Sequence, residues 1–310
     1  MFNSNALATK GGVLCYGELL WDGVMGQRFP GGAPGNVASH LIQHGVRTHV
    51  CSAIGSDSLG DELLEELNRR GFDTGLIQKT AAPTIVTNAI SDKPKVGPSL
   101  TEEASFGNIE YEEAAFETAK GSSIVYFGTA IQYYPTARST LYRLLDRIEA
   151  DETLLVADSN LRWQRYSLET VQKTLHYVDV LKLTVDEAQK IATLLDLRFQ
   201  ETADIIRWLK DTYAIPTIAV TDGKRGSYLY HRFDDVIHVP GVFTKQPDPD
   251  ADPLGAGDAF VAGMLISVLE QVPNIDWIRA LHYGNVLGSY TAASRGAMPE
   301  YRVDDIRALA

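Results

Sequence analysis

The chain is expected to adopt an α/β fold, a mostly parallel sheet with helices on both faces and one small β insertion. Two observations predict it. Short apolar runs of strand length recur along the 310 residues, separated by stretches whose apolar residues keep helical spacing. Strands alternating with helices imply parallel pairing through helical crossovers. One stretch, Pro83 to Glu110, breaks that rhythm with a β-like run and a polar tract. The length admits one large domain or two smaller ones. With no internal repeat, low-complexity tract or clear linker, a single domain over residues 1–310 is expected.

Taken in order, Val13 to Tyr16 reads as a buried first strand that runs into Gly17-Glu-Leu-Leu-Trp-Asp22. Asp22 then falls just past the strand's carboxyl end, where open α/β sheets bind ligands, so it is a candidate polar contact or a solvated loop acid. Phe29 to Asn36 spells Phe-Pro-Gly-Gly-Ala-Pro-Gly-Asn before a helix that stops at Gly45. Asn36 is placed to cap that helix, while Gly31 and Gly32 would let a ligand approach the backbone, or simply make a turn. Strand Thr48 to Ala53 and helix Ser58 to Arg70 follow, the helix ending on basic residues before Gly71. In the irregular stretch, Thr84 to Ile90 is β-like and Pro94 to Glu103 polar. It reads as a flap over a site or as a surface hairpin.

The alternation resumes with strand Ile124 to Phe127, helix Thr136 to Glu149 and strand Leu154 to Asp158. Strand Val180 to Leu183, helices Asp186 to Leu195 and Thr202 to Tyr213, and strand Thr217 to Thr221 come next. Two β-like runs, Ser227 to Tyr230 and Val236 to Val239, lead to a central helix from Ala259 and a long one from Ile275 to Ser294. In the central helix Phe260, Met264 and Val268 repeat at helical spacing beside Val261, Leu265 and Leu269, an apolar stripe.

That helix opens from Asp252-Pro-Leu-Gly-Ala-Gly-Asp258. A helix's first turn presents unpaired N–H groups and the positive end of its dipole. Gly255 and Gly257 lack a Cβ, which would admit an anion to those groups. A carboxylate in that place repels an anion unless it has a proton to collect. Asp258 therefore reads either as a helix-end carboxylate or as a base beside an anion cradle, the arrangement phosphoryl transfer requires. A dinucleotide fingerprint is excluded because its third glycine would fall at Phe260, and no Gly-Lys-Ser/Thr occurs.

Composition narrows the classes. Apolar content of 45% with 22% charged residues is that of an ordinary globular protein, and a net charge of −12 without a Lys/Arg cluster argues against a nucleic-acid surface. Cys15 and Cys51 sit in apolar strand-like runs, as buried thiols of a reducing cytoplasm do. The stretch Met1 to Gly12 lacks the apolar core of a signal peptide, and the longest apolar run, Ala259 to Leu269, falls short of the ~20 residues of a membrane span. A cytoplasmic protein is expected.

With these residues in place, the chain resembles the PfkB (ribokinase-like) family of carbohydrate kinases over nearly its whole length. Two signatures carry the resemblance: Gly31-Gly32-x-x-x-Asn36-x-Ala38 with Gly45 after the helix, and Asp252-x-x-Gly255-Ala256-Gly257-Asp258. Gly17-Glu18 with Asp22, Ser52 to Asp57, and Asp158-x-Asn160-Leu161-Arg162 look most like the bacterial fructokinase branch. The resemblance implies a three-layer α/β/α ribokinase-like fold with a small β lid contributed by about 18–32 and 84–110. It implies Asp258 as catalytic base, and the amides of Gly255, Ala256 and Gly257 as the anion hole. Asp22, Gly31, Gly32, Asn36 and Arg162 are implied as substrate contacts, and Lys182, Thr221, Gly223 and Asn285 as nucleotide contacts. Lys182-Leu-Thr184-Val-Asp-Glu187 resembles the segment that organises magnesium and its waters, with Glu187 acting through water. Asp252, Leu254, Ser294 and Gly296 resemble a monovalent-cation site that takes potassium. Thr184 stands where the family usually has Asn, Pro253-Leu254 replaces the common Thr-Thr or Thr-Val, and Phe106 stands where the branch often has Trp.

The resulting expectation is an ATP- and magnesium-dependent sugar kinase, acting on D-fructose to give fructose 6-phosphate, with a homodimer through the lid and neither a nucleic-acid nor a membrane partner. The same chemistry on ribose, 2-keto-3-deoxygluconate or a nucleoside, or a non-catalytic sugar- or nucleotide-binding regulator, are its rivals.

Overall fold

The computed structural model describes residues 4–24, 26–88, 103–148, 152–161, 166–199, 201–231 and 236–310. After helix α1 (Ser4–Thr9) the chain enters β1 (Val13–Tyr16) and then a hairpin, β2 (Leu20–Val24) and β3 (Gln27–Gly31). Helix α2 (Ala33–Gln43), β4 (Thr48–Gly55), α3 (Ser58–Arg69), β5 (Ile77–Thr80) and β6 (Val86–Asn88) follow. The next units are α4 (Glu113–Gly121), β7 (Ile124–Gly128), α5 (Pro135–Leu145), β8 (Leu154–Asp158), α6 (Leu168–Tyr177) and β9 (Val180–Thr184). Then come α7 (Val185–Leu194), α8 (Thr202–Tyr213), β10 (Thr217–Thr221), β11 (Gly226–His231) and β12 (Val236–Pro240). The chain closes with α9 (Ala256–Gln271), α10 (Trp277–Ala292) and α11 (Val303–Arg307).

Nine strands form the main sheet in the order β12-β11-β10-β9-β8-β7-β1-β4-β5, parallel except for the β10-β11-β12 meander. The alternating side chains of β1 show why two helical layers are needed. Leu14 and Tyr16 enter one core with residues of α4 to α8, while Val13 and Cys15 enter the other with residues of α1, α2, α3, α9 and α10. Strand order reverses at β1, which has β4 on one side and β7 on the other. Such a reversal opens a crevice at the strands' carboxyl ends. The small second sheet, β3-β2-β6, takes its hairpin from the chain between β1 and α2. Among the described residues no helix is long and apolar enough to cross a membrane.

Several sequence expectations change here. Asp22 is not in a loop: it lies within β2, between Phe29 of β3 and Thr87 of β6. The turn at Gly26 closes a hairpin too short and too Gly-interrupted to show a strand alternation. Asn36 is not a cap, because α2 already begins at Ala33 with Gly32 as its N-cap and Pro34 in its first turn. The apolar stripe of α9 is a helix buried almost all round, clamped between the sheet, α2 and α10. Of the expected 84–110 flap, β6 joins the second sheet, whereas Ser105–Asn108 is a tight 3-10 turn and Phe106 is buried against Tyr134, ring centroids 5.3 Å apart. Residues 89–102 lie outside the described residues.

Candidate active site

The first turn of α9 is set by Gly255, which takes the left-handed conformation (φ +74°) as N-cap. A Cβ there would lie 2.4 Å from the Cβ of Ala297, so this glycine serves close packing inside the protein rather than approach by a ligand. The amide of Ala256 donates to Pro253 O at 3.2 Å. That bond narrows the expected anion hole: among the described residues, no hydrogen bond engages the amides of Gly255 and Gly257. Gly257 has a different reason to be glycine, since a Cβ on it would sit 3.1 Å from Lys182 Nζ.

Asp258, 2% exposed, projects from this turn. Its Oδ2 accepts a hydrogen bond from Asn36 Nδ2 at 2.8 Å, which ties α9 to α2. Asn36 Oδ1 is buried with no partner among the described residues. A buried acceptor left open at a crevice calls for a donor from outside, such as a hydroxyl.

On the second sheet, Asp22 Oδ1 accepts from Thr87 Oγ1 at 2.6 Å. Gly31 makes room for that carboxylate, because a Cβ would come within 2.0 Å of Asp22 Oδ2. At Gly32 (φ +99°) a Cβ would come within 2.2 Å of the carbonyl oxygen of Glu18. Arg162 lies outside the described residues.

Below Asp258, Lys182 Nζ meets Asp158 Oδ2 at 2.9 Å and Oδ1 at 3.2 Å, both side chains nearly buried. Burial pushes the Asp158 carboxyl up to about 6 against the pull of the Lys182 ammonium. Burial opposes charge on Lys182 as well, yet Asp158 and Glu187 outweigh it and hold the ammonium protonated above its usual range. Glu187 and Thr184 form a reciprocal capping box at the start of α7: Thr184 N donates to Glu187 Oε2 at 2.8 Å and Glu187 N to Thr184 Oγ1 at 3.1 Å. Leu161 N adds a bond to Glu187 Oε1 at 2.9 Å. Burial raises the Glu187 carboxyl, but Lys182 and these two amides carry it below the usual carboxylate range.

Thr221 ends β10 in register with Thr184, and Gly223 (φ +52°) opens the turn beyond it. Asn285 Nδ2 donates to Val239 O and Pro240 O, both at 3.1 Å, so its amide braces β12. Asp252, Leu254, Ser294 and Gly296 are brought together: Leu254 N (2.9 Å) and Gly296 N (3.1 Å) donate to the Asp252 carboxylate, and Asp252 N to Ser294 O (3.2 Å). The sequence reading missed Asp158 as a site residue. Its signals were its place at the end of a predicted strand and in the Asp158-x-Asn160-Leu161-Arg162 segment, but its partner comes from the neighbouring strand.

The pfkB family carbohydrate kinase model matches residues 8–302, and the chain belongs to this family. Among curated relatives, it is 26% identical over 280 residues to a fructokinase of Salmonella typhimurium, covering 87% of each chain. It is 22% identical over 332 residues to the ATP-dependent 6-phosphofructokinase of Thermoanaerobacterium thermosaccharolyticum, covering 100% of this chain and 98% of the other. Among solved structures, the fructokinase of Xylella fastidiosa with bound ATP matches with a TM-score of 0.83 at 23% identity, covering 97% of this chain and 98% of that one. The aminoimidazole riboside kinase of Salmonella enterica, complexed with aminoimidazole riboside and an ATP analog, matches with a TM-score of 0.79 at 19% identity, covering 96% and 99%. The three-layer ribokinase-like architecture follows from these matches.

Proposed function

We propose that the protein is an ATP-dependent kinase that phosphorylates the primary hydroxyl of a small neutral sugar, D-fructose by preference. One observation carries the reading. The Asp258 carboxylate, steadied by Asn36, sits in the helix turn whose Gly255 and Gly257 amides have no hydrogen-bond partner among the described residues. A carboxylate beside open amides suits a reaction that removes a proton and builds negative charge at one place.

The acceptor hydroxyl lies between Asp258 and the terminal phosphoryl group of ATP. Asp258 takes its proton as the oxygen attacks in line, and the open amides of α9 with Lys182 offset the charge on the transferring group. Asn36 Oδ1 and the Asp22 carboxylate accept hydrogen bonds from the sugar, and Gly31 and Gly32 shape that side of the pocket by letting the backbone close on Asp22 and Glu18. Arg162 is proposed as a further acceptor contact on the family resemblance alone. Thr221, Gly223 and Asn285 bound the nucleotide, and the second sheet is a lid that keeps water from the phosphoryl group.

Glu187, held ionised and pinned by two amides, suits a magnesium-bound water. Magnesium held there would supply positive charge to offset that of the nucleotide's phosphates. Asp252, Leu254, Ser294 and Gly296 form an oxygen-bearing loop pair suited to potassium, which would fix the loop ahead of Gly255. The free buried thiols Cys15 and Cys51 suit a reducing cytoplasm, and the lid sheet offers a pairing surface to a second copy.

The likeness to fructokinases supports fructose, and the likeness to a riboside kinase makes nucleosides the nearest competitor. A panel of sugars and nucleosides with magnesium-ATP, read as ADP release, tests the proposal. Fructose should give the highest kcat/KM. Preference for a riboside would transfer the same chemistry to another acceptor. Calorimetric sugar binding without any phosphorylation would make the protein a regulator.

A further inference from the structure

Among the described residues, Lys182 is the one buried lysine or arginine. On its own face of the sheet the strand residues Val156, Val180 and Ala219 are apolar and buried. Stability does not explain a charge there, since a buried ion pair is often no better than apolar residues of the same volume. Its location does. Asp158, at the carboxyl end of β8, faces Lys182 in register in the middle of β9, and the ammonium lies against Gly257 in the first turn of α9.

We propose that Asp158 is a positioning residue for phosphoryl transfer, holding the Lys182 ammonium against the α9 turn and away from Asp258. This rests on the kinase reading above. Lys182 is drawn by three carboxylates, those of Asp158, Glu187 and Asp258. An ammonium that paired with Asp258 would occupy the base and neutralise it. Asp158 prevents that by engaging Nζ through both of its oxygens. The carboxylate is itself fixed, because Asn160 N donates to Oδ1 at 3.2 Å from a backbone turned to φ +36°. An ammonium has three N–H groups, so with two on Asp158 one donor remains for a phosphoryl oxygen.

The test combines Asp158→Asn, Lys182→Gln and the double variant, each checked by thermal melting, with kcat and the KM for ATP and sugar measured separately. Lys182→Gln should lose about 10²-fold in kcat, as removal of a charge-stabilising donor does. Asp158→Asn should lose about 10–10²-fold through misplacement of the ammonium, with the KM for sugar unchanged. The double variant should be no slower than Lys182→Gln alone, because Asp158 acts only through Lys182. That last comparison stands even if the Asp158→Asn protein does not fold. Losses that multiply in the double variant, or an Asp158→Asn enzyme that melts lower but turns over like the parent, would overturn the inference. A parent without any turnover marks failure of the kinase reading instead.

Discussion

The two glycines of the α9 turn answer to different neighbours, so the same substitution at each should have opposite signatures. In Gly255→Ala the new methyl meets Ala297 at 2.4 Å from its Cβ and 2.7 Å from its Cα, and the backbone is held at φ +74°. A left-handed alanine costs about 1–2 kcal/mol, and forcing a methyl into packed backbone costs about 1–3 kcal/mol more. The sum, about 2–5 kcal/mol, should appear as an earlier urea-unfolding midpoint with an unchanged slope. In Gly257→Ala the methyl meets only Lys182 Nζ, at 3.1 Å, the end of a flexible side chain. Alanine is favoured over glycine inside a helix by about 0.5–1 kcal/mol, so stability should stay close to that of the parent. Turnover should fall, because Lys182 is displaced from the phosphoryl site. Equal stability losses in the two variants, or a fully active Gly257→Ala enzyme, would refute this account of the turn.

Asn36→Ala removes the 2.8 Å bond to Asp258. Hydrogen bonds to charged groups contribute about 1.5–3 kcal/mol, so kcat should drop roughly 10–10²-fold while the KM for ATP holds, as steady-state kinetics would show. His40 is buried and bonded to Tyr301 Oη through Nδ1 at 2.8 Å. Burial, reinforced by His44, lowers it from 6.5 to about 3. The unfolded chain therefore takes up a proton that the folded one refuses, and this share of stability is present above 6.5 and lost as pH falls below it. Comparing unfolding free energies of the parent and His40→Gln from pH 6 to pH 5, the parent should lose about 1 kcal/mol more than the variant.

The sequence made the frame of the fold legible. Strands Val13–Tyr16, Leu154–Asp158 and Thr217–Thr221 and helix Thr202–Tyr213 have the bounds that their apolar runs indicate. The missed elements lack such a signal. Ile77–Thr80 is an edge strand with a single apolar residue, specified by pairing with β4 rather than by its own pattern. Leu168–Tyr177 turns inward chiefly through Val171 and Leu175, and its capping box uses Thr170 where a Glu or Gln is the usual mark. Glu113–Gly121 is short and buries only Ala115, Phe116 and Ala119.

At the site, residue types and spacing pointed to Asp258, Asn36 and the glycines, but not to their partners. Gly255 owes its identity to Ala297, and Asn36 donates to a carboxylate 222 positions away. Lys182 finds Asp158 only because β8 and β9 pair in that register. Contacts between distant segments leave no periodic trace in the chain.

Asp258→Asn, measured for sugar-dependent ADP release alongside calorimetric ATP binding, tests the central claim most directly. Turnover should fall by at least about 10²–10⁴-fold, the contribution of a general base, with ATP affinity unchanged. Turnover within a few-fold of the parent would contradict the assignment of the proton to this carboxylate.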